Sequence, residues 1–222
     1  EACKYIDKNL AVKIEGVGKE TLINACKTSM SSKLIGPESG LFSELVVDAM
    51  QFVRQIGPNG EYKYPLKAVK IAKCHGQSSL ESKLIKGYAL QMARVSQQMP
   101  LKVKGAKIAC LDMNLNKFKM HMGIQFVVND PKNLEKIRQR ECDVLKERCE
   151  KLIKAGANVI ITTKAVDDIA AKYFVEAGVF AMRRVEKSDL RRIAKSTGAT
   201  VITTFANAEG EENFDPAWLG TA

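Results

Sequence analysis

Asp167 and Asp168 set two carboxylates side by side, the raw material for a metal site or for general acid–base work. Adjacent residues on a helix point about 100° apart, so the two do not converge on one ion. At the start of a helix, carboxylates gain instead from the helix dipole. The pattern therefore favours capping over catalysis. Arg183-Arg184 is a possible phosphate-binding pair, but successive strand residues face opposite sides, so one of the two is expected to pair internally. Cys74-His75 holds a thiol beside an imidazole, yet adjacency in sequence does not supply the geometry of a nucleophile and its base. The only histidines, His75 and His121, have no ligand spacing around them, which disfavours a zinc site. The motifs GxxxxGK(S/T), GxGxxG, GxSxG and HExxH are all missing. Thr163-Lys164-Ala165-Val166 follows a strand-like segment but lacks the glycines that let backbone close on a pyrophosphate. The chain thus reads as a binding or structural module. Two rivals are a stand-alone α/β enzyme working near Thr162-Thr163 and a basic nucleic-acid-binding domain.

The elements that must position these side chains fall into two parts. Glu1–Leu10 and Thr21–Met30 read as helices, and Pro37 sits at the first turn of another. There Leu41, Phe42, Leu45, Val46, Ala49, Met50 and Val53 recur at three- and four-residue steps. Gly57–Pro65 is turn-rich and is the expected boundary. The helical piece before it is small and one-sided, and is expected to complete its core with chain outside this sequence. Beyond the boundary, Val69–Lys73, Lys83–Leu90, Lys107–Leu111 and Gly123–Val128 read as strands. Asp130-Pro131 opens a long helix that Gly156 ends. Glu147/Lys151 and Glu150/Lys154 are favourable pairs on its wet side. Then Asn158–Thr162 (strand), Val166–Ala177 (helix), Val179–Met182 (strand), a helix capped by Ser188, and Thr200–Thr204 (strand) alternate. That order predicts a parallel α/β sheet.

The formal charge of +10 invites a nucleic-acid partner. Acids are interleaved with the bases across residues 131–155, however, and only 6% of residues are aromatic, without a stacking pattern. A mildly basic solvated surface is the better reading. The six cysteines show no CxxC spacing and are expected to be reduced thiols of a cytosolic protein. No apolar run approaches the length of a membrane span. The chain opens on Glu1, already inside a helical pattern, so a piece of a longer protein is expected.

These blocks resemble the group II chaperonins. Thr28–Lys33 (TSMSSK) and Phe42–Ala49 (FSELVVDA) look like the amino-terminal half of the intermediate domain of that family. Gly87–Leu90, Met99-Pro100 and Lys107–Asp112 (KIACLD) look like the start of its apical domain. Tyr173–Gly178 (YFVEAG), Arg183-Arg184-Val185, Ser188–Leu190 and Ala194–Thr200 (AKSTGAT) continue in family order. The match covers essentially all 222 residues and is closest to the eukaryotic cytosolic branch.

The resemblance implies an α/β apical domain with mixed sheets flanked by helices and a helical protrusion, preceded by an α+β intermediate segment. In these terms residues 1–64 are the intermediate part, 65–217 the apical domain with its protrusion at about 117–145, and 218–222 the start of the return. It implies a subunit of a hetero-oligomeric double ring that binds non-native proteins, actin and tubulin among them, with no nucleic acid or membrane partner. ATP and magnesium belong to the full-length subunit. The family's GDGT(T/S) loop lies before this segment and its further catalytic aspartate after the apical domain, so no ATPase site is expected here. The built-in lid maps to Val127, Val128, Asn129, Asp130 and Pro131. The client groove maps to Asp168, Ala171, Lys172, Val175 and Glu176 on one helix, with His75, Gln77 and Ser78 on the Cys74–Leu80 loop.

Overall fold

The computed structural model describes residues 1–12, 16–76, 78–117, 131–206 and 209–222, with Pro131 described in its backbone alone. The chain divides into two compact units, Glu1–Ala89 and Leu90–Ala222. That division falls some way beyond the Gly57–Pro65 turn.

The first unit is helical. α1 (Ala2–Tyr5) runs into a π turn, Ile6–Leu10. α2 (Lys19–Met30) packs against α3 (Ser39–Val53), whose entry is a 3₁₀ turn with Pro37 in its first positions. On these two helices only Ser43 and Val47 are buried. A cleft of about 650 Å³ stays open among α2, α3 and Tyr62-Tyr64, lined by Leu22, Cys26, Val46 and Met50. Two short strands follow, β1 (Gln55–Ile56) and β2 (Tyr62–Lys63), paired antiparallel around a turn where Gly60 takes φ +78°. The expected strands at Val69–Lys73 and Lys83–Leu90 do not form. This stretch contains 3₁₀ turns at Leu66–Ala68 and Ser79–Glu81 and is otherwise irregular. β-rich composition makes a strand only where a neighbouring strand accepts its hydrogen bonds, and here the described residues from Ile71 to Ser82 are all exposed.

The second unit is built on one mixed sheet of order β5-β4-β3-β6, with β7 also pairing to β3. Its strands are β3 (Lys107–Leu111), β4 (Val159–Thr162), β5 (Phe180–Met182), β6 (Val201–Ile202) and β7 (Gly220–Thr221). β3, β4, β5 and β6 run parallel, in the register Ile108↔Val159, Val159↔Phe180 and Cys110↔Val201. β7 lies antiparallel beside the first half of β3. Ala106 and Ala222 then exchange both backbone bonds, at 2.8 and 3.0 Å, so the polypeptide enters and leaves this sheet side by side. The middle strands are apolar on both faces because helices cover them: Ala109, Cys110, Leu111 and Ile160 are fully buried.

Three helices connect the strands: α4 (Pro131–Lys154), α5 (Asp168–Glu176) and α6 (Lys187–Thr197). Leu145, Cys149 and Leu152 of α4, Phe174 of α5 and Met99 join the sheet residues in one core. α4 and α5 end alike. Gly156 (φ +87°) and Gly178 (φ +67°) donate to the carbonyls of Ile153 and Val175, and Ala157 and Val179 to those of Leu152 and Phe174. Left-handed backbone at these two turns is what glycine supplies without a Cβ clash. α6 is N-capped by Glu186 and begins at Lys187, so Ser188 lies inside the helix and is not its cap.

Candidate functional site

α5 carries most of the expected binding residues. Asp167 is its N-cap in extended backbone, but its carboxylate accepts no bond from the helix; it accepts the Lys117 amide N–H at 3.4 Å. The helix starts two residues later than expected, because Val166 is buried and bridges to Leu115. Ala170, Ala171 and Phe174 point inward. Asp168, Lys172 and Glu176 are exposed at i, i+4 and i+8, so they form one outward ridge of alternating sign, with Val175 half-buried beside it. Among the described residues none of these three is held in an ion pair. The ridge is therefore available to an outside partner.

One expected residue is misplaced. Ala171 is 6% exposed and belongs to the buried side, not to the ridge. α5 packs against α4 as well as β5, so its covered arc is wider than a single stripe facing the sheet. On the loop, His75 is exposed, and Ser78 caps the 3₁₀ turn at Ser79–Glu81, accepting the Leu80 N–H at 3.3 Å. Gln77 lies outside the described residues. The loop belongs to the first unit and α5 to the second. Val127, Val128, Asn129 and Asp130 also lie outside the described residues, as do the expected Gly123–Val128 strand and the Asp130 cap. Pro131 is the first residue of α4.

α4 has 24 residues, about 36 Å at 1.5 Å per residue. From Lys132 to Arg140 every side chain is exposed except Ile137, whereas Leu145, Cys149 and Leu152 are buried. Only the carboxyl-terminal half is rooted in the core. A clamp fixes that half to the 209–215 loop. The Arg148 guanidinium donates to both Glu212 carboxylate oxygens, from Nε at 3.0 and 3.2 Å and from Nη2 at 2.5 Å. Lys151 Nζ donates to the Glu212 carbonyl at 2.7 Å. The Arg148 hydrogen bonds, reinforced by the charges of Arg148 and Lys151, hold the Glu212 carboxyl below its ordinary range. Sequence spacing paired Lys151 with Glu147; in the structure Glu147 pairs with Arg140 and Lys151 with Glu212, while Glu150–Lys154 forms as expected.

At the carboxyl edge of the sheet, Asp112 accepts the Thr163 hydroxyl at 2.5 Å and pairs with Lys187 Nζ at 2.7 Å. Those bonds, Lys187 first, keep its carboxyl low. Arg183 and Arg184 are both exposed, so neither is the internally paired member that strand alternation predicted. Alternation ends with β5 at Met182, and Arg184 already sits in left-handed backbone. Burial pushes the Cys110 thiol up to about 11 and the Cys149 thiol up to about 12, leaving both protonated and unreactive at neutral pH. Among the described residues no cluster of three histidines, cysteines or carboxylates is placed to hold a metal ion. No described helix is long and apolar enough to cross a membrane.

Comparison with known proteins accounts for this arrangement. The model of the TCP-1/cpn60 chaperonin family matches residues 1–222, the whole chain. The chain belongs to that family. It is 61% identical over 220 residues to T-complex protein 1 subunit alpha of Tetrahymena pyriformis, covering 99% of this chain and 40% of that protein. It is 61% identical over 222 residues to the Arabidopsis thaliana protein of the same name, covering 41% of it. Thermosome subunit alpha of Aeropyrum pernix is 35% identical over 224 residues. Among solved structures, an open-state monomer of a group II chaperonin from Methanococcoides burtonii superposes with a TM-score of 0.71. It is 30% identical, and the match covers all of this chain and 47% of that one. The chain spans about 40% of the length of the curated relatives it matches. The α/β fold class and the chaperonin resemblance read from the sequence are both borne out.

Proposed function

We propose that this chain is the client-holding and lid-bearing segment of its chaperonin subunit. The observation that carries the client reading is the α5 ridge. Asp168, Lys172 and Glu176 stand exposed along one face, in no ion pair among the described residues, next to the apolar Val175. A surface that alternates charge beside a modest apolar contact holds a non-native polypeptide by polar complementarity as well as by burial, and selects among clients on that basis. Non-native actin and tubulin are clients of the kind the family resemblance implies. In the same proposal His75, Gln77 and Ser78 of the Cys74–Leu80 loop, which the family resemblance implies for client contact, also take part in binding.

The lid reading is supported by α4. A helix rooted only through its second half, with an exposed charged first half, suits an element that projects from its domain and meets its neighbours when a ring closes. In this proposal residues 1–64 are intermediate domain and 65–217 apical domain, and ATP with magnesium acts in parts of the cytosolic full-length subunit outside this segment.

The test uses the full-length subunit in its assembled ring, carrying Lys172→Glu together with Val175→Asp. Capture of a chemically unfolded client, read by suppression of its aggregation, is expected to fall several-fold while the ring stays intact by sedimentation. Undiminished capture would refute the α5 assignment.

A further inference from the structure

We infer that Lys164, Arg183 and Arg184 form a recognition surface for acidic polypeptide segments at the carboxyl edge of the sheet. Lys164 follows β4, and the two arginines follow β5, its neighbour in the sheet. The loops are stitched together: the Arg184 N–H donates to the Lys164 carbonyl at 3.1 Å, and the Val185 N–H to the Thr162 carbonyl at 3.1 Å. Arg184 is held at φ +57°, the one non-glycine described in left-handed backbone. An arginine resists that conformation, and it persists here because the two backbone bonds and the buried Val185 over-determine it. The result is a fixed turn that displays three cations. All three side chains are exposed, and none is ion-paired among the described residues.

Asp112 does not neutralise them. Asp112 feels the charge of Lys164, but its side chain is only 9% exposed and is already engaged by Lys187 and Thr163. One carboxylate therefore faces two lysines before either arginine is counted. Carboxylates also flank the surface in sequence, Asp167 and Asp168 after Lys164 and Glu186 after Arg184. They limit the basic area to a few side chains, which fits a short run of aspartate or glutamate better than the long continuous polyanion of a nucleic acid. Lys164 lies four residues before Asp168, where α5 begins, so an acidic stretch of a client lying on the ridge would run onto it. The inference rests in that respect on the α5 reading above.

The experiment uses the full-length subunit in its assembled ring, with and without Lys164→Gln, Arg183→Gln and Arg184→Gly combined. Glycine relieves the left-handed backbone, so the turn is retained while its charge is lost. A fluorescein-labelled oligoglutamate peptide is titrated at low and at physiological ionic strength, with an unfolded client poor in acids as control. The expected result is about a tenfold loss of oligoglutamate affinity at low salt, smaller at physiological salt, with the control client unaffected. Unchanged oligoglutamate binding overturns the inference, as does an equal loss for the control client. Tighter wild-type binding of polyphosphate or single-stranded DNA than of oligoglutamate also overturns it, and marks a phosphate surface. The Lys172→Glu/Val175→Asp ring separates the two proposals: if it captures the control client normally while the triple variant loses oligoglutamate, the ridge fails and the acidic-segment surface stands.

Discussion

Replacing Glu212 with glutamine isolates the clamp that roots α4. The change keeps side-chain size and leaves the Glu212 carbonyl, which Lys151 Nζ holds at 2.7 Å. It removes the charge and turns one oxygen facing the Arg148 fork into an N–H₂ group. The pair is mostly sheltered, with Arg148 and Glu212 side chains 22% and 23% exposed. Hydrogen bonds to charged groups contribute about 1.5–3 kcal/mol, and freely exposed ion pairs about 0–1 kcal/mol. A two-pronged but partly solvated pair lies between, at about 1–2 kcal/mol. For a cooperative unit of this size that lowers Tm by roughly 3–6 °C. The pH dependence has a definite sign. The folded carboxyl is held below its ordinary value of 4.5, so its contribution is complete above that value and disappears as pH falls through the lower folded value. The wild-type and Glu212→Gln melting curves, followed by near-ultraviolet circular dichroism, are therefore separated at pH 7 and converge as pH falls below 4.5 and through the lower folded value. Amide exchange in α4 from residue 141 to residue 154 should quicken in the variant at pH 7. Identical Tm values at pH 7 and low salt, or a gap that does not narrow at all as pH is lowered below 4.5, would refute the clamp.

Two further perturbations address the core and the sheet. Phe174→Ala empties a fully buried position between α5 and the sheet and should cost about 3–5 kcal/mol, read as a lower urea midpoint with little change in slope. A result under about 1 kcal/mol would mean that the neighbouring helices collapse into the space. Gly220→Ala places a Cβ 2.5 Å from the Thr197 hydroxyl and 2.8 Å from the Ala199 Cβ, so β7 should detach locally from β3. Faster exchange of the Ala106 and Ala222 amides would report it, and native protection there would contradict the packing.

Periodicity exposed the second unit well. Apolar runs at Lys107–Leu111 and Asn158–Thr162 and helices ended by glycine are local signals, and each came out within a few residues of its expected bounds. Ala171 was misread because burial on α5 depends on a second helix whose approach no local pattern encodes. Val69–Lys73 and Lys83–Leu90 were misread for the opposite reason: β-prone side chains were present, but among the described residues no neighbouring strand was. The Arg148–Glu212 and Asp112–Lys187 pairs join residues 64 and 75 positions apart (212 − 148; 187 − 112) and left no mark on spacing at all. Where sequence order carried the site, it did so as family blocks, and chemistry played no part.

The paired passage at Ala106 and Ala222 has a practical consequence. Because the strand that opens the sheet and the one that closes it are bonded to each other, residues 106–222 have their ends within one hydrogen bond of touching. Such a segment can be spliced into a surface hairpin of an unrelated host without stretching either partner, or rejoined end to end and reopened at another loop. Its geometry is that of a cassette.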